Sequence, residues 1–152
     1  REVSLHNRLI LDAKERSFQY GDHRMALVLV QAAFDAWIGN LLRRECETRN
    51  VAELPITPGG RSPRPFAEAI DRGAILSDLI EVYARDFAGR SLKSDAEYQA
   101  WRRDCYDLRN QIVHGTAPQV GKDEVSAAFK AMKDYGNYIM VGLEANRAGA
   151  PA

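Results

Sequence analysis

Ser94-Asp95-Ala96-Glu97-Tyr98-Gln99-Ala100-Trp101-Arg102-Arg103-Asp104-Cys105-Tyr106-Asp107-Leu108-Arg109-Asn110-Gln111-Ile112-Val113-His114-Gly115 is the stretch on which the fold turns. Its members Tyr98, Trp101, Cys105, Leu108 and Ile112 recur at steps of three and four, the spacing of one face of an α-helix. Ser94-x-x-Glu97 is a capping box, in which each side chain can satisfy a free amide of the first turn. Gly115 supplies the stop, and Pro118 follows. The spacing therefore predicts a helix over 95–114. At about 100° per residue, Asn110 and His114 fall together on the side away from the apolar stripe, with Arg103 and Asp107 beside them. Arg109 lies about 140° round from His114, on a flank. These polar groups sit where core packing does not demand them.

Downstream, residues 122–146 place Val125, Ala128, Phe129, Met132, Ile139 and Leu143 on one side of a last helix, and 148–152 reads as a frayed tail. Upstream, 66–88 carries Phe66, Ala67, Ile70, Ile75, Leu76, Leu79, Ile80, Tyr83 and Phe87. This spacing predicts a helix in two pieces jointed near Gly73 and ended by Ala88-Gly89. Pro55, Pro58, Gly59, Gly60, Pro63 and Pro65 make 49–65 a long loop, because prolines and glycines at that density cannot continue a helix. Gly59-Gly60-Arg61 lacks the later Gly-Lys-Ser/Thr of a phosphate loop. Arg61 and Arg64 are loop cations that solvent accounts for.

Residues 23–48 form a helix that is almost wholly apolar from Met25 to Leu42, with Phe34 and Trp37 as its large core volumes. A membrane span is the sharper reading of that run, but Asp35 in its middle favours the central helix of a bundle, since a carboxylate is expensive in lipid. Asp22, after the break at Tyr20-Gly21, is a good N-cap for it. Residues 2–19 are weakly amphipathic and predict a first helix. No stretch alternates with period two for long. The pattern gives an all-α antiparallel bundle of about five helices, one domain over 1–147.

At 152 residues the chain can bury a real core, and with 21 basic against 21 acidic residues it has no global field drawing it to nucleic acid. An anion site, if present, is a local patch. Cys46 and Cys105 read as reduced thiols of a cytoplasmic protein, since a disulfide scaffold would use more. Neither has partners at metal-ligand spacing, so neither a metal nor another cofactor is expected. No signal peptide is legible. The start at Arg1 suggests a trimmed chain or a piece of a longer protein.

Arg109-Asn110-Gln111-Ile112-Val113-His114 resembles the R-x4-H signature of the HEPN superfamily, with its common polar residue after the arginine. The long apolar second helix, the variable loop and the late motif also fit that family. The resemblance implies a metal-independent endoribonuclease, often a toxin or antiviral effector, in which two copies bring their motifs into one cleft. Its implied catalytic residues are Arg109, Asn110 and His114. Its implied partners are RNA, a second copy of the chain, and an antitoxin or other protein, with no membrane.

The residue chemistry suits that reaction. His is the side chain whose titration range fits proton transfer near neutrality. The carbonyl end of a helix favours a cation, which suits His114 to act as an acid. Arg cannot readily give up its proton, and its fork matches a phosphate. Asn110 can orient the imidazole four residues on, or bond substrate. Arg103 and Tyr106 are candidate substrate contacts, Tyr106 by stacking on a base or by packing on a second subunit.

Blander alternatives stand beside these. His114 could cap the last carbonyls, and Arg109 could pair with Asp107 or a neighbouring carboxylate at the surface. His6 and His23 read as surface histidines. A non-catalytic module that binds a nucleotide or protein is the rival function, and a ligand-free helical dimerisation domain is a third.

Overall fold

The computed structural model of the chain describes residues 3–51, 53–54, 64–65, 79–93, 95–117 and 119–148. Among them the architecture is all-α, in five helical runs. Helix α1, Leu5–Phe18, buries only Ala13 and Ser17, four residues apart on one narrow face. The chain then turns at Gly21, whose φ of +65° would strain a side-chain-bearing residue. The Asp22 carboxylate accepts the Met25 amide at 3.2 Å, the N-cap predicted for α2, His23–Thr48. Two-residue strands β1, Glu53–Leu54, and β2, Arg64–Pro65, pair antiparallel within the expected loop, Glu53 opposite Pro65. So short a ladder does not change the fold class.

A π-helical turn, Leu79–Ala84, runs into α3, Arg85–Ala88, which Gly89 ends at φ +69°. Next come α4, Ala96–Trp101, a second π turn, Arg102–Asp107, and α5, Leu108–Val113, as one continuous run over 96–113. The last helix is α6, Lys122–Ala148. Ser94 of the expected capping box, the helical piece expected over 66–78, loop residues 55–63, Pro118 and the tail residues 149–152 lie outside the described residues.

The chain packs as two compact units, Arg1–Ala36 with Asp95–Asn137, and Trp37–Ser94 with Tyr138–Ala152. The first is built on aromatic rings. Trp101 stacks on Tyr135 at 5.1 Å between centroids and meets Phe34 at 4.9 Å. Tyr98 reaches both Trp101 and Tyr135, at 5.8 and 5.6 Å. Each such pair adds about 0.5–1.5 kcal/mol beyond area burial. The predicted core face therefore holds through Tyr98, Trp101 and Cys105, all buried. Trp37, expected as a major core volume, is only half-buried, and Tyr135 takes that role instead. His23 is half-buried rather than a surface residue, with Nδ1 2.9 Å from the Ser17 hydroxyl.

The second unit buries Ile38, Leu42, Cys46, Ile80, Leu92, Ile139 and Leu143, and with them one carboxylate. Glu45, 2 % exposed, pairs with Arg49 at 3.0 Å and with Arg147. Arg49 also donates to the Leu143 carbonyl at 3.1 Å and lies over the Phe87 ring. A buried carboxylate with two guanidinium partners has its lone pairs satisfied, which its burial requires. By length and composition α2 is also the one described helix able to cross a membrane, and half of its most apolar window is buried within the protein.

Candidate functional site

Residues 96–113 do not form a uniform α-helix: a π turn, which closes i→i+5 hydrogen bonds, spans Arg102–Asp107. Beyond it the apolar stripe weakens. No residue of α5 is fully buried: Leu108, Arg109, Asn110 and Ile112 are half-buried, and Val113 is exposed. The expectation that Leu108 and Ile112 continue the core stripe is therefore met only in part. Asn110 likewise is not simply presented outward.

Arg109 has an unusual environment for a cation. Its Nε is buried with no hydrogen-bond partner, and its guanidinium lies 5.5 Å from the Tyr106 ring centroid. Among the described residues it makes no ion pair or hydrogen bond through its side chain. Asp107, the carboxylate the surface alternative would give it, is bound by Arg102 at 2.8 Å instead. Arg103, 73 % exposed, is held by two hydrogen bonds to Asp104, at 2.7 and 3.0 Å. Of the three arginines on this helix, Arg109 alone has no carboxylate partner among the described residues.

Its charge is felt across the first unit by Asp35 of α2. Burial pushes the Asp35 carboxyl above its ordinary range, while a 2.9 Å hydrogen bond from Gln31 and the positive Arg109 pull it back. Sequence reading used Asp35 only to disfavour a membrane span and passed over Gln31. The available signal was a Gln and an Asp four apart, on one face of an otherwise apolar run.

His114 is exposed, just beyond the end of α5. The carbonyls there are met by others: Gly115, at φ +74°, bonds the Ile112 carbonyl, and the amides of Thr116 and Ala117 bond that of Gln111. The imidazole has no role as a cap and no hydrogen bond among the described residues. The Asn110 carbonyl accepts the His114 backbone amide at 3.0 Å, but the Asn110 side chain does not orient the ring. Arg109 and His114 of one chain remain about 140° apart around the helix and about 7.5 Å along it, so they do not converge.

Tyr106 is half-buried and already occupied. It packs on Trp101 at 5.4 Å, with Arg102 at 4.7 Å and Arg109 at 5.5 Å from its ring. It carries Arg109 rather than standing free for a base. Cys105 is buried, and burial reinforced by Asp35 pushes its thiol up to about 12. Cys46 is pushed up to about 11 by burial and by Glu45. Neither is a thiolate nucleophile near neutral pH. Among the described residues no three His, Cys, Asp or Glu side chains gather as a metal site would need.

The class defined by fold and site is thus a helical protein in which, among the described residues, Arg109 makes no ion pair and His114, at the end of the same helix, no side-chain hydrogen bond. Comparison with family models, curated proteins and solved structures finds no match to this chain.

Proposed function

We propose that this protein is a metal-independent endoribonuclease of HEPN type, acting as a toxin or defence effector in the cytoplasm. The observation that carries the proposal is the contrast among the helix arginines: Arg102 and Arg103 are neutralised by Asp107 and Asp104, whereas Arg109 has no carboxylate partner among the described residues. A planar fork without a carboxylate is matched to a phosphodiester oxygen pair. His114, exposed and unpartnered, supplies proton transfer.

In the reaction, a base takes the proton of the ribose 2′-hydroxyl, and the 2′-oxygen attacks the adjacent phosphorus. The P–O bond to the next nucleotide's 5′-oxygen breaks, and an acid protonates that oxygen. The products are a 2′,3′-cyclic phosphate and a 5′-hydroxyl. Arg109 stabilises the charge growing on the equatorial oxygens. One His per chain provides one proton-transfer group, and the reaction uses two. Because Arg109 and His114 diverge within a chain, a second copy completes the site. The partners of the proposal are RNA, a second copy of the chain, and an antitoxin or other protein.

The test is incubation of RNA with the full chain in the presence of a chelator, comparing wild type with His114→Ala. The wild type should yield 2′,3′-cyclic ends, and a deoxyribose at the cleavage position should block cutting. Light scattering at micromolar concentration should report twice the chain mass. Undiminished cleavage by folded His114→Ala protein refutes the mechanism. RNA that is bound but never cut shifts the function to a non-catalytic binding module.

A further inference from the structure

Arg102, Tyr106 and Arg109 stand four and three residues apart on the motif helix. One ring joins them: the Arg102 guanidinium lies 4.7 Å from the Tyr106 centroid, and that of Arg109 5.5 Å. Two cations beside one ring can be no farther apart than those two distances together. The ring is itself fixed, since it packs on buried Trp101 at 5.4 Å. A ring attracts a cation, but two cations held beside it also repel each other. Asp107 offsets that repulsion on the Arg102 side alone.

The offset is loosely made. Asp107 accepts one hydrogen bond, from Arg102 Nε to a single carboxylate oxygen at 2.8 Å. Asp104 closes on the fork of Arg103 with both oxygens, at 2.7 and 3.0 Å. The Arg102 and Asp107 side chains are 42 % and 45 % exposed, so water can receive the carboxylate once it leaves. A phosphodiester presents two oxygens to a guanidinium and can take the fork that Asp107 holds at one point. Arg103, by contrast, rests on no ring among the described residues.

We infer that Arg102 and Arg109, spaced by Tyr106, bind two neighbouring phosphates of an RNA backbone, and that Asp107 occupies the Arg102 position until RNA displaces it. Arg109 takes its phosphate directly, and Arg102 exchanges a carboxylate for the second. The choice of RNA as the anion rests on the ribonuclease proposal; the pairing of the two arginines on one ring does not.

The experiment measures binding of a labelled ten-nucleotide oligouridylate to the full chain by anisotropy, over a range of salt. All chains carry His114→Ala, so that the probe stays intact. Asp107→Asn removes the competing carboxylate. It should tighten binding by roughly fivefold, the scale of one exposed ion contact, and steepen the salt dependence by about one unit of slope. Asp104→Asn makes the same change of charge beside Arg103, off the ring, and should tighten binding by no more than about twofold. Adding Arg102→Ala to Asp107→Asn should abolish the gain. Equal gains from the two asparagine variants overturn the inference, because charge alone would then explain them. A gain that survives Arg102→Ala overturns it too, as does an Asp107→Asn chain that binds no oligouridylate. Cleavage of the same RNA by the wild type is scored separately. Binding as expected without cleavage ends the ribonuclease proposal and leaves the two-phosphate site standing. Cleavage with equal asparagine gains does the reverse.

Discussion

Replacing Arg109 by alanine separates a phosphate site from a charged surface, and the structure gives the scale of the effect. Among the described residues Arg109 makes no side-chain hydrogen bond, so an oxyanion gains its fork without displacing one of them. A hydrogen bond to a charged group contributes about 1.5–3 kcal/mol. At about 1.4 kcal/mol per decade, Arg109→Ala should weaken RNA binding by roughly tenfold to a hundredfold. Arg102→Ala and Arg103→Ala remove cations already neutralised by Asp107 and Asp104. Exposed pairs of that kind contribute at most about 1 kcal/mol, so each should cost less than about fivefold. Arg109→Lys should recover only part of the loss, since a point charge does not reproduce the fork. The fold should persist in Arg109→Ala, because the change removes a buried N–H that has no partner and one cation–π contact of about 0.5–1 kcal/mol. The assay is fluorescence anisotropy with a labelled oligoribonucleotide, on a variant made cleavage-defective by His114→Ala, repeated over a range of salt. Arg109→Ala should also flatten the salt dependence by about one unit of slope. Equal losses from all three alanine variants would refute the reasoning, since Arg109 would then be one surface charge among several.

Trp101→Ala should cost the fold about 3–5 kcal/mol by urea denaturation, because it opens a cavity among four rings. A loss below about 1 kcal/mol would mean that the aromatic cluster does not hold its unit. Glu45→Ala strands Arg49 and Arg147. Because Arg147 is 39 % exposed and water can recover it, a loss of about 1–3 kcal/mol is expected in the same assay, below that of a fully buried pair. Asp35 is raised from its ordinary 3.8 by burial, so its proton binds more tightly in the folded than in the unfolded chain. Its contribution to stability is fully present below 3.8 and is lost as pH rises through the raised folded value. Asp35→Asn should therefore melt higher than wild type at neutral pH, with the advantage shrinking toward acid; a constant offset across pH would contradict it.

The helices were legible from short-range patterns. The N-cap at Asp22 and the steps of three and four through Tyr98, Trp101 and Cys105 each depend on residues within a few positions of one another. The Gly115 stop is as local. So is the motif itself, whose arginine and histidine keep their separation around the helix wherever the helix packs. The burial of Gln31 and Asp35 was not legible, because it depends on elements remote in sequence. Nor could the surface pairing offered to Arg109 be settled on sequence, since Asp107 lies within reach of more than one arginine and packing chose Arg102.

From the order of residues alone came the all-α class, the positions of the helices among the described residues, and a histidine at a helix end. All follow from periodicity and local hydrogen bonding, which act over one or two turns. Which partner each arginine of the motif helix takes was decided only in the folded protein. Asp107 binds Arg102 and Asp104 binds Arg103, while the Arg109 guanidinium lies over the Tyr106 ring, which packs in turn on Trp101. Helical spacing puts several carboxylates and rings within reach of each guanidinium, and only the packing of the folded chain chooses among them.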